Sequence, residues 1–180
     1  MSAEVAMIQT PPAGLLRRLG AMVYDCLPIF AFMVVATVPF LPFLKGRVLV
    51  AEEVGWLAHL YHLVQIAVVA GFFIFFWTRR GQTVGMLAWR LRLERHDGAL
   101  LSVGDALRRL GAVFVLCVPF LIGYWWIWHD WPKTPRVAAN CIALAPLAIA
   151  YLWIWIDRDK QAWPDRWTKT RVVLLPKRAR

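Results

Sequence analysis

The chain has 180 residues, 60% of them hydrophobic, with a mean hydropathy of +0.54 and a formal net charge of +10. So much apolar side chain exceeds what a soluble core of this size hides, which excludes an ordinary soluble domain and points to an integral membrane protein. The basic residues crowd at the ends of apolar runs instead of forming one groove with interleaved aromatics, so anionic lipid headgroups are the expected partner and nucleic acid is not.

Four apolar runs follow in chain order, at 19–43, 56–77, 110–128 and 137–156. Each approaches the ~20 residues that cross ~30 Å of hydrocarbon. The first is too long for a signal-peptide core, carries Asp25 and lacks a small-residue cleavage pattern, so it reads as a retained helix that Pro39 and Pro42 end early. Asp25 is the first functional suspect, because a carboxyl group inside an apolar span costs roughly 2.5 to 3.5 kcal/mol unless it is protonated, paired or beside water. One reading makes it an ion or proton site between helices; the other makes it an interhelical hydrogen-bond anchor. Arg18 lies seven residues earlier, about 10 Å along the axis, too far for unstrained pairing. Arg17, Arg18, Arg108 and Arg109 are the candidate counter-charges.

The second run carries His59 and His62 at helical spacing, with Glu52, Glu53, His129 and Asp130 expected at similar depth. A metal site there ranks below plain hydrogen bonding by interfacial histidines and Gln65, so no metal or cofactor is expected. Asn140, near the outer end of the fourth run, takes the same structural default. Ala67 and Gly71 offer a small-residue contact for self-association. Between the second and third runs, the alternation from Trp89 to Glu94 reads as a strand, His96-Asp97-Gly98 as a turn, and Leu100-Leu101 as a short returning strand. Ser102 and Asp105 form a helix-capping signal. Pro119 and Pro146 lie inside the third and fourth runs as tolerated kinks. The last segment holds Asp157 to Lys160 as a solvated helix end, an amphipathic turn around Trp163 to Trp167, and a second strand near Thr170 to Leu174 that pairs with the first. Asp165, in that turn, either meets Arg18 across the repeat axis, or caps a short helix or pairs locally with Arg166 or Lys169.

Orientation follows from charge: 17 of the 21 Lys and Arg lie before the first run, between the second and third, or after the fourth, and four lie in the other two loops. Both termini and the middle segment are therefore expected in the cytoplasm, with the protein in the inner membrane. Trp56, Trp125, Trp126, Trp128 and Trp131 would mark the outer boundary, and Trp77, Trp153 and Trp155 the inner one. Cys26, Cys117 and Cys141 fall within runs and read as small packing residues. The stretch Leu16-Arg17-Arg18-Leu19-Gly20-Ala21 recurs as Leu107-Arg108-Arg109-Leu110-Gly111-Ala112. The chain thus reads as one domain, 1–180, with an internal repeat of roughly 14–95 and 105–175. The expected architecture is an all-α membrane protein of four transmembrane helices in two parallel hairpins, with a small cytoplasmic β element.

Arg18 and Asp25 within LLRRLGAMVYD, Gly81-Gln82-Thr83-Val84-Gly85, and Asp165 ahead of Thr170-Arg171-Val172-Val173 occur in the order of the RDD family of bacterial membrane proteins, which the chain resembles over most of its length. Met86 stands where that family usually has Lys. The resemblance implies transport of an ion or small solute, with Arg18, Asp25 and Asp165 as the polar network; Arg109, Gln82, Thr83 and Asn140 are the secondary candidates. Four helices make a narrow bundle, so a second copy or another membrane protein is an expected partner. A non-transporting scaffold is the rival reading. No nucleophile with a base, Walker loop or dinucleotide fingerprint is present, so no enzymatic activity is expected.

Overall fold

The computed structural model describes residues 11–44, 55–129 and 136–176, without the side chains of 44, 120 and 123–143. The candidates Glu52, Glu53, Trp125, Trp126, Trp128, His129, Asp130, Trp131, Asn140 and Cys141 therefore lie outside the described residues or side chains. Four long helices dominate: α1 (Leu15–Thr37), α2 (Trp56–Arg79), α4 (Val103–His129) and α5 (Arg136–Leu152). Two five-residue helices, α3 (Val84–Ala88) and α6 (Trp163–Trp167), lead into strands β1 (Leu91–Arg95) and β2 (Thr170–Leu174). Among the described residues, two helices are long and apolar enough to cross a membrane, Leu15–Phe43 and Trp56–Arg79. Large side chains such as Leu27, Phe30 and Leu63 stand exposed along them, the expected arrangement where lipid is the solvent.

Local chemistry sets the helix ends. Pro39 breaks α1 into a 3-10 turn at Val38–Phe40 before a last helical turn, Leu41–Leu44. At the start of α4, the Ser102 hydroxyl accepts from the Asp105 amide while Asp105 accepts from both the amide and the hydroxyl of Ser102. This capping box satisfies donors that the first turn leaves free. Thr83 caps α3 by accepting from the Met86 amide at 3.2 Å.

The strands pair antiparallel, with Leu91 opposite Leu174, Leu93 opposite Val172 and Arg95 opposite Thr170. Their buried face, Leu91, Leu93 and Val172, packs with Ala13, Ala21, Trp77, Met86, Leu101 and Ala106 into the main core. Both outer edges are covered, which protects an otherwise open two-stranded sheet. Residues 11–13 run along β2, with Ala13 donating to the Val172 carbonyl and Leu174 to that of Pro11. On the other side Leu93 donates to the Gly81 carbonyl, and the Gln82 side chain donates to that of Leu91.

Two local expectations are corrected here. Leu100-Leu101 forms no returning strand: the edge of β1 that it would need is taken by Gly81 and Gln82, and Leu101 enters the core instead. The first strand begins at Leu91, because Trp89 and Arg90 close α3, Arg90 with a left-handed φ of 57°. The backbone recurs at a spacing of 79 residues. Gly81 (φ 66°) and Lys160 (φ 52°), α3 and α6, Arg90 and Lys169 (φ 52°), and β1 and β2 all stand in that relation. So do Leu93 and Val172, the central pair of the sheet.

Candidate functional site

Asp165 is the most buried charge in the described molecule, with no accessible surface. It sits on α6, where its Oδ2 accepts from the Ala162 amide at 3.1 Å and so caps the helix. That oxygen also takes the guanidinium of Arg18, 147 residues away, while Oδ1 accepts from Arg109 at 2.5 Å. Arg18 comes from the first turn of α1 and Arg109 from α4. One carboxylate thus ties three helices and both arginine pairs of the sequence repeat.

The arginines are held in turn. Arg18 donates from Nε to the Ala13 carbonyl at 3.0 Å and from a terminal nitrogen to the Lys160 carbonyl at 2.8 Å. Arg109 donates to the hydroxyl of Thr170, itself fully buried, and lies 5.6 Å from the Trp77 ring centre in a cation–π contact. Burial by itself would raise the Asp165 carboxyl, but the charges of Arg109 and Arg18 and their hydrogen bonds outweigh it and hold the group below its ordinary value. Arg166 and Lys169, the local partners weighed from sequence, are not used; Arg166 instead faces Asp157 at 3.4 Å.

Asp25 occupies a separate place. Its Oδ2 accepts from the Thr83 hydroxyl at 2.5 Å and its Oδ1 from the Gly85 amide at 2.7 Å. Among the described residues it forms no salt bridge, which corrects the expectation of an arginine counter-charge. Arg18 and Arg109 are committed to Asp165, and exposed Arg108 pairs with buried Asp105. The Gln-Thr-x-Gly stretch now has a physical reason at each position. Gln82 covers the edge of β1, Thr83 caps α3 and donates to Asp25, and Gly85 lets α3 lie against α1, since a Cβ there would run into the Ala21 carbonyl.

A cavity of about 560 Å³ lies between α1, α2, α4, α5 and the sheet, lined by Arg18, Asp25, Thr83, Arg109, Tyr151 and a larger set of apolar residues. Its size falls in the roughly 300–1,000 Å³ range of small-molecule sites. The structure therefore brings Arg18, Arg109 and Asp165 together, places Asp25 with Thr83 elsewhere on the same cavity, and leaves Gln82 in a purely structural contact. Sequence reasoning missed Thr170, Gly85 and the carbonyls of Ala13 and Lys160. Equivalence of Arg18 and Arg109 in the repeat was the signal that both could share one anion.

Trp77 is not an interfacial belt residue, being 8% exposed and packed under Arg109. Cys26 is exposed on α1 and so fills no packing gap in this chain. His62 contacts the carbonyl of Ala58 in its own helix through Nδ1, and Gln65 donates to the Met33 carbonyl and the Thr37 hydroxyl across to α1.

A family model described as RDD family matches residues 12–169. No curated protein and no solved structure matches the chain.

Proposed function

The chain belongs to the RDD family, and from that membership and its polar core we propose that it carries an ion or small solute across the bacterial inner membrane through the cavity between its helices. In this reading all four long helices span the bilayer, as two hairpins of the same sense, with both termini and the sheet in the cytoplasm. The 79-residue recurrence supports a parallel repeat. A two-fold axis pairs an element with its own equivalent, as the pairing of Leu93 with Val172 does. Asp25 binds or relays the cation, Arg18 anchors the first helix and tunes the local field, and Asp165 organises the cytoplasmic end.

The observation that carries the proposal is that Asp25 and two buried arginines line one cavity of solute size inside the helix layer. Asp25→Asn keeps one acceptor, its carbonyl oxygen, for the Gly85 amide and presents its NH2 to the Thr83 hydroxyl, which can rotate to accept, so the fold should survive. Flux measured in proteoliposomes should be lost or become insensitive to pH. Unchanged flux removes Asp25 from the mechanism.

A scaffold reading has its own support, since Asp165 is fully engaged and Asp25 clips α3 to α1, as purely structural polar groups do. It predicts no specific flux for the parent protein and a membrane-protein partner recovered on gentle solubilisation.

A further inference from the structure

The cavity wall carries an imbalance of charge. Arg18 and Arg109 both line it, and the acid that they share is Asp165, which meets each of them through a different oxygen. Two guanidiniums on one carboxylate leave a positive charge unmatched among the described residues. Asp25, the acid on the wall itself, has its oxygens engaged by Thr83 and Gly85 and makes no ion pair with either arginine.

The two arginines also differ in what remains free. Arg18 uses Nε and both terminal nitrogens on Ala13, Asp165 and Lys160. Arg109 meets Asp165 and Thr170, so of the five N–H donors of a guanidinium it keeps the larger share beyond its bonds to the described residues. It does so at 8% exposure, in a place where an unmatched charge is costly. Apart from Thr83 and Tyr151 the rest of the wall is apolar, with Met22, Val113 and Leu147 among its residues. A ligand that suits this site joins one negative group to an apolar body.

We propose that the cavity binds an amphiphilic monoanion, with its carboxylate or phosphate on Arg109 and its apolar portion against the helix walls. The inference rests on the transport reading and deepens it. A cation at Asp25 and an anion at Arg109 would occupy two ends of one compartment and travel together.

The test uses the full chain in zwitterionic nanodiscs and three probes: laurate, dodecanol and acetate. A ligand that binds only the native state raises the melting temperature. Laurate should raise it by several degrees and dodecanol and acetate should not, because one lacks the charge and the other the apolar body. Cys117→Trp, which adds bulk to the cavity wall about two turns along α4 from Arg109, should abolish the laurate shift. A shift on adding phosphatidylglycerol to phosphatidylcholine discs, abolished by the same variant, also supports the site and identifies a resident lipid as its occupant. Equal stabilisation by dodecanol, no response to any anion, or a laurate shift that persists in Cys117→Trp overturns the proposal. The parent protein alone decides the first two outcomes, should the variant fail to fold. If laurate is silent while pH-dependent cation flux persists in proteoliposomes, the anion site falls and the transport reading stands. Absence of any flux removes the latter.

Discussion

Asp165 concentrates much of the tertiary structure among the described residues, because its two oxygens hold Arg18 on α1, Arg109 on α4 and the first turn of α6. Removing one member of a buried ion cluster leaves the others uncompensated, at a cost of roughly 3–5 kcal/mol. Asp165→Asn should therefore lower the melting temperature of the solubilised protein at neutral pH by well over the scatter of surface variants. The pH dependence follows from the direction of the shift. The folded carboxyl titrates below its ordinary value of 3.8, so the folded state holds fewer protons than the unfolded one in that range. Its contribution is complete above about 3.8 and is lost as pH falls through the lower folded value. Asp105 shifts the same way, first through its hydrogen bonds from the side chain and amide of Ser102. Melting temperature should hold steady from pH 7 to about pH 4 and fall below it. In Asp165→Asn that acid limb should be shallower; an unaltered limb would show that the cluster does not set it. Thr83→Val removes both the cap of α3 and the donor to Asp25, and should cost about 1–3 kcal/mol in the same assay.

At the scale of elements, short α3 and α6 are each terminated by a residue in the left-handed region, Arg90 and Lys169. That geometry usually belongs to Gly, since a Cβ there costs roughly 1–2 kcal/mol. Lys169→Gly, at an exposed position, should raise stability by about 1 kcal/mol with no change in the sheet. Gly85→Ala should do the reverse. The new methyl meets the backbone of α1 at Ala21, which no rotamer change relieves, so α3 must move away from Asp25. Overpacking of this kind costs about 1–3 kcal/mol or more, and it should lower both the melting temperature and any flux that depends on Asp25. The elements themselves were largely legible: long apolar runs, the Ser102–Asp105 cap and two alternating segments are signals written in consecutive residues. What fills the edges of the sheet was not. Residues 11–13 and Gly81-Gln82 carry no strand pattern, because they pair as single extended segments held by tertiary contact. The partners of Asp25 were illegible for a related reason. A hydroxyl and a backbone amide 58 and 60 residues away leave no charge pattern for the eye to match, whereas Arg18 and Arg109 announced themselves by repetition.

For the whole molecule, the distribution of Lys and Arg carries a prediction: the sheet and both termini should share the side on which 17 of 21 cations are expected. Single cysteines introduced into a chain lacking Cys26, Cys117 and Cys141 test it through an impermeant thiol reagent applied to intact cells. Ala51→Cys and Lys133→Cys should label from outside. Leu93→Cys and Arg178→Cys should label only after the membrane is opened, with Leu93→Cys slow because that side chain is 1% exposed in the core. Labelling of Lys133→Cys only from inside would break the second hairpin and with it the two-fold arrangement. The consequence reaches the polar core. If the hairpins ran in opposite senses, Arg18 and Arg109 would enter the membrane from opposite faces and could not share Asp165, yet the two guanidiniums meet on that one carboxylate. Accessibility at Lys133 therefore tests the orientation of the chain and the ion cluster in a single measurement: the shared carboxylate predicts Lys133 and Arg178 on opposite sides, and the charge distribution predicts that Lys133 is the external one.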